Sequence, residues 1–329
     1  MDDVARLAGV SHQTVSRVLN EHVRVAPETR ARVLAAIHTL DYRPNTLARA
    51  LVTGRSGALG VVSFDTTLYG PASTLQGIER AAHEAGYFLS IATTRESSER
   101  SLSDAIERLR RQSVEGIVVI TPEASAVRAL QRLPDLPIVA VEGMPDVAAP
   151  IVTVDQVAGA AAATRHLLDL GHPTVWHISG PPDWFEARGR ERGWRTALRE
   201  AGVPVNPPLV GDWSARSGYL HGRVIAQVPH LSAVFAANDQ MALGLLRALR
   251  EAGRDVPGDV SVIGFDDIPE ATFFAPPLTT VRQDFAEVGR RSLGLLLAQL
   301  DGAPRQAQAV VVPVELVVRD STAPRRGAP

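Results

Sequence analysis

Residues 2 to 20, Asp-Asp-Val-Ala-Arg-Leu-Ala-Gly-Val-Ser-His-Gln-Thr-Val-Ser-Arg-Val-Leu-Asn, constrain this chain more than any other stretch, because they read as two short helices joined at Gly9. Val4, Leu7 and Ala8 recur at i, i+3 and i+4 and predict one apolar stripe on the first helix. Gly9 and Val10 predict the sharp turn, which a bulky residue would resist. Ser11 is placed to cap the second helix. On that helix Val15, Val18 and Leu19 are expected to face inward, leaving His12, Gln13, Ser16 and Arg17 outside, near its N-terminal half. This is the pattern of a helix-turn-helix whose outer side chains reach base edges or phosphates.

A third helix is expected from Pro27, a residue suited to the first helical position, with Glu28 near its positive end and Val33, Leu34, Ile37 and Leu40 on its apolar side. Asp41-Tyr-Arg-Pro44 then breaks the helix, and Asn45 can cap the next segment. Thr46 to Val52 is compatible with a helix but only about two turns long, too short to be stable alone.

Asp3-Val-Ala-x-x-Ala-Gly-Val-Ser-x-x-Thr-Val-Ser-Arg-Val-Leu-Asn20, then Arg43-Pro-Asn and Ala48-Arg-Ala-Leu51, resembles the LacI/GalR family of bacterial transcriptional repressors. The resemblance implies that residues 45–57 are a hinge helix and linker that fold on the operator, with Leu51 wedged into the minor groove. The side chains it assigns to DNA are Ser11, His12, Gln13, Thr14, Ser16, Arg17, Asn20, Asn45, Ala48 and Leu51. Related chains usually carry several residues, with a Thr or Ser cap, before the first helix; here Met1-Asp2 opens the chain, which points to an upstream start.

The charge is uneven. The chain carries a formal net charge of -2, yet its first 55 residues hold eight arginines against five acidic residues, so only the front is basic. With 329 residues and 45% hydrophobic content, a larger domain is expected behind the small one. The sequence has no cysteine, no signal peptide and no apolar run near 18 residues, so neither a disulfide framework nor a thiolate metal site is expected, and the reading is a cytoplasmic protein without a membrane segment.

From residue 58 the period changes. Short β-type runs at 58–64, 88–92, 116–120 and 138–141 alternate with helical stretches near 71–85, 98–111 and 124–132. After 157 the alternation resumes, with strands at 174–178, 233–236 and 260–265 and helices near 187–201, 215–227 and 239–252, then a last helix at 284–300. This pattern predicts parallel sheets covered by helices. The resemblance implies an all-α helix-turn-helix headpiece (1–44) followed by an α/β periplasmic-binding-protein-like (type I) effector and dimerisation domain (58–320) of two doubly wound subdomains. Their expected bounds are about 58–155 plus 284–310, and about 156–283 plus 311–320. The tail 321–329 has no periodicity and is expected to be loose.

In open α/β sheets, strand ends bring loops and helix N-termini to one rim, so ligand residues are sought there. The candidates are Asp65, Leu68 and Tyr69; Glu142; Arg188 and Arg190; Gly211-Asp-Trp213; Asn238-Asp239; Asp266-Asp267; and Gln283-Asp-Phe285. Planar Asn, Asp and Arg side chains bond vicinal hydroxyls, and an aromatic ring stacks on the apolar face of a sugar. Gly211-Asp-Trp-Ser214, Ala237-Asn-Asp-Gln-Met-Ala-Leu-Gly244 and Pro276 to Phe285 are similar to the sugar-responsive members of the family. That likeness implies Arg190, Asn238 and Asp266 as hydroxyl partners and Trp213 and Phe285 as ring contacts, with Leu68 and Glu142 contributing from the other half. Asp239 and Asp267 read equally well as caps or turn residues, and Trp184 and Trp194 as packing residues. His166, His172 and His177 lack metal-ligand spacing, and no metal or cofactor is expected.

The family reading is of a repressor of carbohydrate-utilisation genes, a homodimer on a near-palindromic operator, released by a small saccharide of β-galactoside or β-glucoside type. A regulator of the same family that needs a purine or phosphoprotein corepressor is the alternative. An α/β enzyme is disfavoured by the lack of Gly-x-Gly-x-x-Gly, Gly-x-x-x-x-Gly-Lys-Ser/Thr and Gly-x-Ser-x-Gly motifs. The tail holds no leucine heptad, so a dimer is expected rather than a tetramer tethered by a helical bundle.

Overall fold

A computed structural model describes residues 1–19, 24–42, 55–94, 98–120, 136–142 and 149–325. The chain divides into two compact units, Met1–Ser56 and Gly57–Pro329.

In the first unit, α1 (Asp2–Ala8), α2 (His12–Leu19) and α3 (Pro27–Thr39) surround a small core of Val4, Ala5, Ala8, Val15, Val18, Val33 and Ala36. Gly9 terminates α1 in the left-handed region, at φ 61°. Ser11 caps α2, its Oγ accepting the Thr14 N–H at 3.2 Å. The Arg32 guanidinium donates to the Ala8 carbonyl at the C-terminal end of α1, locking α3 onto the turn. Three expectations for this core fail: Leu7, Leu34 and Leu40 are 54%, 52% and 42% exposed. Helices this short bury only a narrow stripe, and alanines at 5, 8 and 36 already fill it.

The second unit is built on two parallel sheets. The first has the order β11-β5-β4-β3-β1-β2, from β1 (Ala58–Phe64), β2 (Phe88–Thr94), β3 (Ile117–Ile120), β4 (Ile138–Val141), β5 (Ile151–Val154) and β11 (Ala309–Val312). Its inner strands β1, β3, β4 and β5 are apolar on both faces because both are covered, whereas the edge strands β2 and β11 are largely exposed. Val61 and Val118 pack under α4 (Tyr69–Glu84) and α10 (Phe285–Leu300), while Val62 and Val119, one residue on, meet α5 (Glu99–Arg111).

The second sheet runs β7-β6-β8-β9, from β6 (Trp176–Ser179), β7 (Leu209–Val210), β8 (Ala233–Ala236) and β9 (Ser261–Ile263). On one face lie α6 (Gln156–Asp169) and α7 (Phe185–Glu200), around Trp194, Phe235 and Phe265. On the other lie α8 (Ala215–Ile225) and α9 (Asp239–Glu251), around Val234, Met241 and Leu245. An antiparallel ribbon of β10 (Thr280–Gln283) and β12 (Val314–Val317) completes this lobe. The chain passes between the lobes three times: at Asp155, which caps α6; at Asp284, which caps α10; and at Pro313 between β11 and β12.

Sequence reading missed β5, β7, β10, β11 and β12, each of two to four residues. The helix expected at 124–132 and the hinge helix at 46–52 lie outside the described residues. The end of the chain is not loose as far as Arg325. Ser321 is fully buried, its hydroxyl donating to the Val262 carbonyl and accepting from the Thr279 N–H, and the Arg325 N–H reaches the Leu170 carbonyl.

Candidate functional site

The cleft of the second unit holds a cavity of about 270 Å³, and four helices begin on its wall. Their N-cap residues Leu68 (α4), Trp184 (α7), Ser214 (α8) and Asn238 (α9) all line it. The strand-to-helix turns of both sheets therefore open onto one space, as strand-end geometry requires. A smaller chamber of about 40 Å³ shares Gly70, Pro71, Glu186 and Arg190 with it and reaches Glu142 and Phe285.

Of the seven residues expected to meet a ligand, Leu68, Arg190, Trp213, Asn238 and Asp266 line the larger chamber, and Glu142 and Phe285 the smaller. Three of them hold a backbone conformation that side chains rarely adopt: φ is 58° at Glu142, 71° at Trp213 and 112° at Asp266. Such strain persists only where the surroundings over-determine it, and it gathers at functional sites. The Trp213 indole lies so close to Gly180 that a Cβ there would sit 2.2 Å from the ring.

One polar network spans the two lobes. Arg190 pairs with Asp266 at 3.2 Å, donates through Nε to Gln156 at 2.8 Å, and reaches the Ala237 carbonyl. Gln156 donates to Gln283 at 3.0 Å, and Gln283 donates to Asp266 at 2.7 Å. Glu142 accepts from the Thr153 hydroxyl at 2.6 Å and the Val154 N–H at 3.0 Å. Because Gln156 and Gln283 each adjoin a crossover, the network ties the site to the strands that join the lobes.

Electrostatics at the deep end are dominated by burial. Burial pushes Asp266 up to about 6 despite the opposing pull of Arg190. Glu186 is raised further, to about 8, by burial and by the neighbouring Glu142. Glu142 is itself raised by burial. Glu186 escapes a search of strand ends because it stands in the first turn of a helix. Gln156 escapes it for the same reason.

Other expectations divide. Arg188 lies outside both chambers, its guanidinium donating to the Asp183 carbonyl. Asp239 is fully buried and accepts from the Ile268 N–H and the Thr280 hydroxyl, a structural role. Asp267 pairs with Arg282 and Arg319. Asn238 caps α9 through the Met241 N–H and faces the cavity as well. Trp194 is a packing residue, bonded to the Val175 carbonyl, but Trp184 is on the cavity wall, between Phe64 of one lobe and Trp213 of the other at ring separations of 5.7 and 5.5 Å. His166, His172 and His177 bond to Thr322, Ser261 and the Phe235 carbonyl.

On α2 of the first unit, Ser11, His12, Gln13 and Arg17 are exposed, Thr14 and Ser16 partly so. Asn20, Asn45, Ala48 and Leu51 lie outside the described residues.

A helix-turn-helix followed in the chain by a two-lobed α/β unit with a cavity at its strand ends defines a ligand-responsive, DNA-binding regulator. Residues 1–45 match the model of bacterial regulatory proteins of the lacI family, and residues 164–322 that of the periplasmic binding protein-like domain. The chain belongs to the LacI family and is a DNA-binding transcriptional repressor, not an enzyme. It is 34% identical to the lactose operon repressor of Klebsiella pneumoniae over 98% of this chain and 92% of that one. To the ribose operon repressor of Escherichia coli K12 it is 35% identical, over 98% and 99%. Among solved structures, a lac repressor dimer bound to operator and the anti-inducer ONPF superposes with a TM-score of 0.89 at 32% identity, covering 98% of each chain. No described helix is long and apolar enough to cross a membrane.

Proposed function

We propose that this repressor binds a near-palindromic operator as a homodimer and is released from it by a small saccharide held in the cleft. The observation that carries the reading is the convergence of Arg190, Trp213, Asn238 and Asp266, from four separate segments, on one cavity. Asp266 and Arg190 supply acceptors and donors in planes that suit vicinal hydroxyls, and Trp184 and Trp213 supply apolar faces. The larger chamber, about 270 Å³, falls just below the roughly 300–1,000 Å³ of drug-sized sites, which suits one or two sugar rings. A cellobiose complex of the regulator CelR, 33% identical with a TM-score of 0.73, supports a saccharide in a cleft of this type. On α2, Gln13 can pair bidentately with adenine and Arg17 with guanine, each worth about 1 to 3 kcal/mol of discrimination.

Operator DNA is first obtained by selecting random duplexes with the purified protein. β-Galactosides, β-glucosides and ribose are then titrated while tryptophan emission and operator retention are followed together. A saccharide that changes emission and releases DNA over the same concentrations supports the reading, since one closure event drives both signals. A saccharide that tightens DNA binding instead would reverse its sign, and an enriched site without dyad symmetry would contradict the dimer.

A further inference from the structure

The deep end of the cleft holds more acid than base. Among the described residues, Glu142, Glu186 and Asp266 stand against one guanidinium, that of Arg190, which is already committed to Asp266, Gln156 and the Ala237 carbonyl. Both oxygens of Glu142 have donors within the fold, from Thr153 and Val154. Glu186 differs: it lines both chambers, and its Oε2 is buried with no hydrogen-bond partner. A buried carboxyl oxygen without a donor is costly, and in a native fold it calls for an explanation. The N-terminal ends of α4 and α7 soften the negative charge here, and the Glu186 backbone N–H supports its own carboxyl, but Oε2 is left without a hydrogen bond.

The walls point the same way. Trp184, Trp213 and Tyr69 line the same space, and an aromatic ring attracts a cation through its quadrupole, as the Trp213 ring already does with the Arg190 guanidinium 5.4 Å from its centroid. Aromatic rings and an unpaired carboxyl oxygen lining one cavity are the surroundings an ammonium group seeks.

Resting on the saccharide reading above, we infer that the effector is a hydroxylated ring carrying a basic nitrogen, an amino or imino sugar, and that Glu186 selects it by receiving the nitrogen's N–H bonds. The same groups couple binding to protons. In the free protein burial, then Glu142, push Glu186 up to about 8 and favour its protonated form, with its own backbone N–H and Arg190 opposing and Asp266 adding to the effect. An ammonium group arriving beside it converts the acid to a carboxylate, and the proton leaves to solvent.

The test uses the full-length protein and matched pairs: D-glucosamine against D-glucose, D-galactosamine against D-galactose, and 1-deoxynojirimycin against D-glucose. Binding is measured by calorimetry and tryptophan emission at pH 6, where these amines arrive as ammonium ions, in two buffers of different ionisation enthalpy. At least one amine is expected to bind tenfold or more tightly than its neutral parent, with an observed enthalpy that depends on the buffer. Glu186→Gln, of the same shape, is expected to erase that preference and the buffer dependence. If neutral sugars bind and the amines gain nothing, this inference falls and the saccharide reading stands. If neither series binds, both fall.

Discussion

Replacing Asp266 by asparagine separates what the cleft does from what holds it together. Asp266 and Arg190 are 6% and 4% exposed, and deleting one partner of a buried pair ordinarily costs about 3–5 kcal/mol. The direction of the Asp266 shift argues for the opposite result. Its pKa lies at about 6 in the fold, above the ordinary 3.8, so between those values the native state holds the extra proton and stability falls as pH rises. Asparagine mimics the protonated acid in shape and charge, tolerates the positive φ of 112° better than alanine would, and does not ionise. At 1.36 kcal/mol per pKa unit, the variant should exceed the wild type by about 3 kcal/mol at pH 7, and the gain should shrink to below about 1 kcal/mol at pH 4. Urea unfolding followed by tryptophan emission suits the measurement, because all four tryptophans, at 176, 184, 194 and 213, lie in the α/β unit. Protein concentration is held constant so that association does not contribute. The same variant should lose its response to the effector. A variant less stable than wild type at pH 7, with no trend between pH 4 and 7, would refute the argument that burial outweighs Arg190.

Gly180→Ala places a methyl 2.2 Å from the Trp213 ring, so the indole must move; a cost of about 1–3 kcal/mol is expected, with effector affinity reduced tenfold or more, and unchanged titrations would show that the ring's seat is unimportant. Ser321→Ala strands the buried Val262 carbonyl and Thr279 N–H, and should produce a thermal shift corresponding to about 2–4 kcal/mol; a loss under about 0.5 kcal/mol would mean that the chain end is not anchored there. Leu51→Ala should weaken operator binding far more than binding to random DNA, since a minor-groove wedge stabilises only the kinked complex; equal losses in parallel titrations would remove Leu51 from that role.

Much of this protein was legible in one dimension. The turn at Gly9, the cap at Ser11 and the buried Val4, Val15 and Val18 follow from spacing alone, because a helical hairpin is specified by contacts a few residues apart. Fully apolar runs such as Ile117-Val-Val-Ile and Ala233-Val-Phe-Ala announced parallel strands covered on both faces, and strand ends then named Asn238 and Asp266, while Trp213 followed from the family likeness. Tertiary structure alone decided the rest. Whether Asp239 or Asn238 faces the cleft turns on which way a helix begins, and whether Trp184 or Trp194 reaches it depends on a neighbouring lobe more than 100 residues away. The importance of Glu186 arises only when Glu142, 44 residues earlier, is brought beside it in the partly dehydrated cleft. Burial and long-range charge depend on the whole packed arrangement, and neither is carried by a residue's place in the sequence.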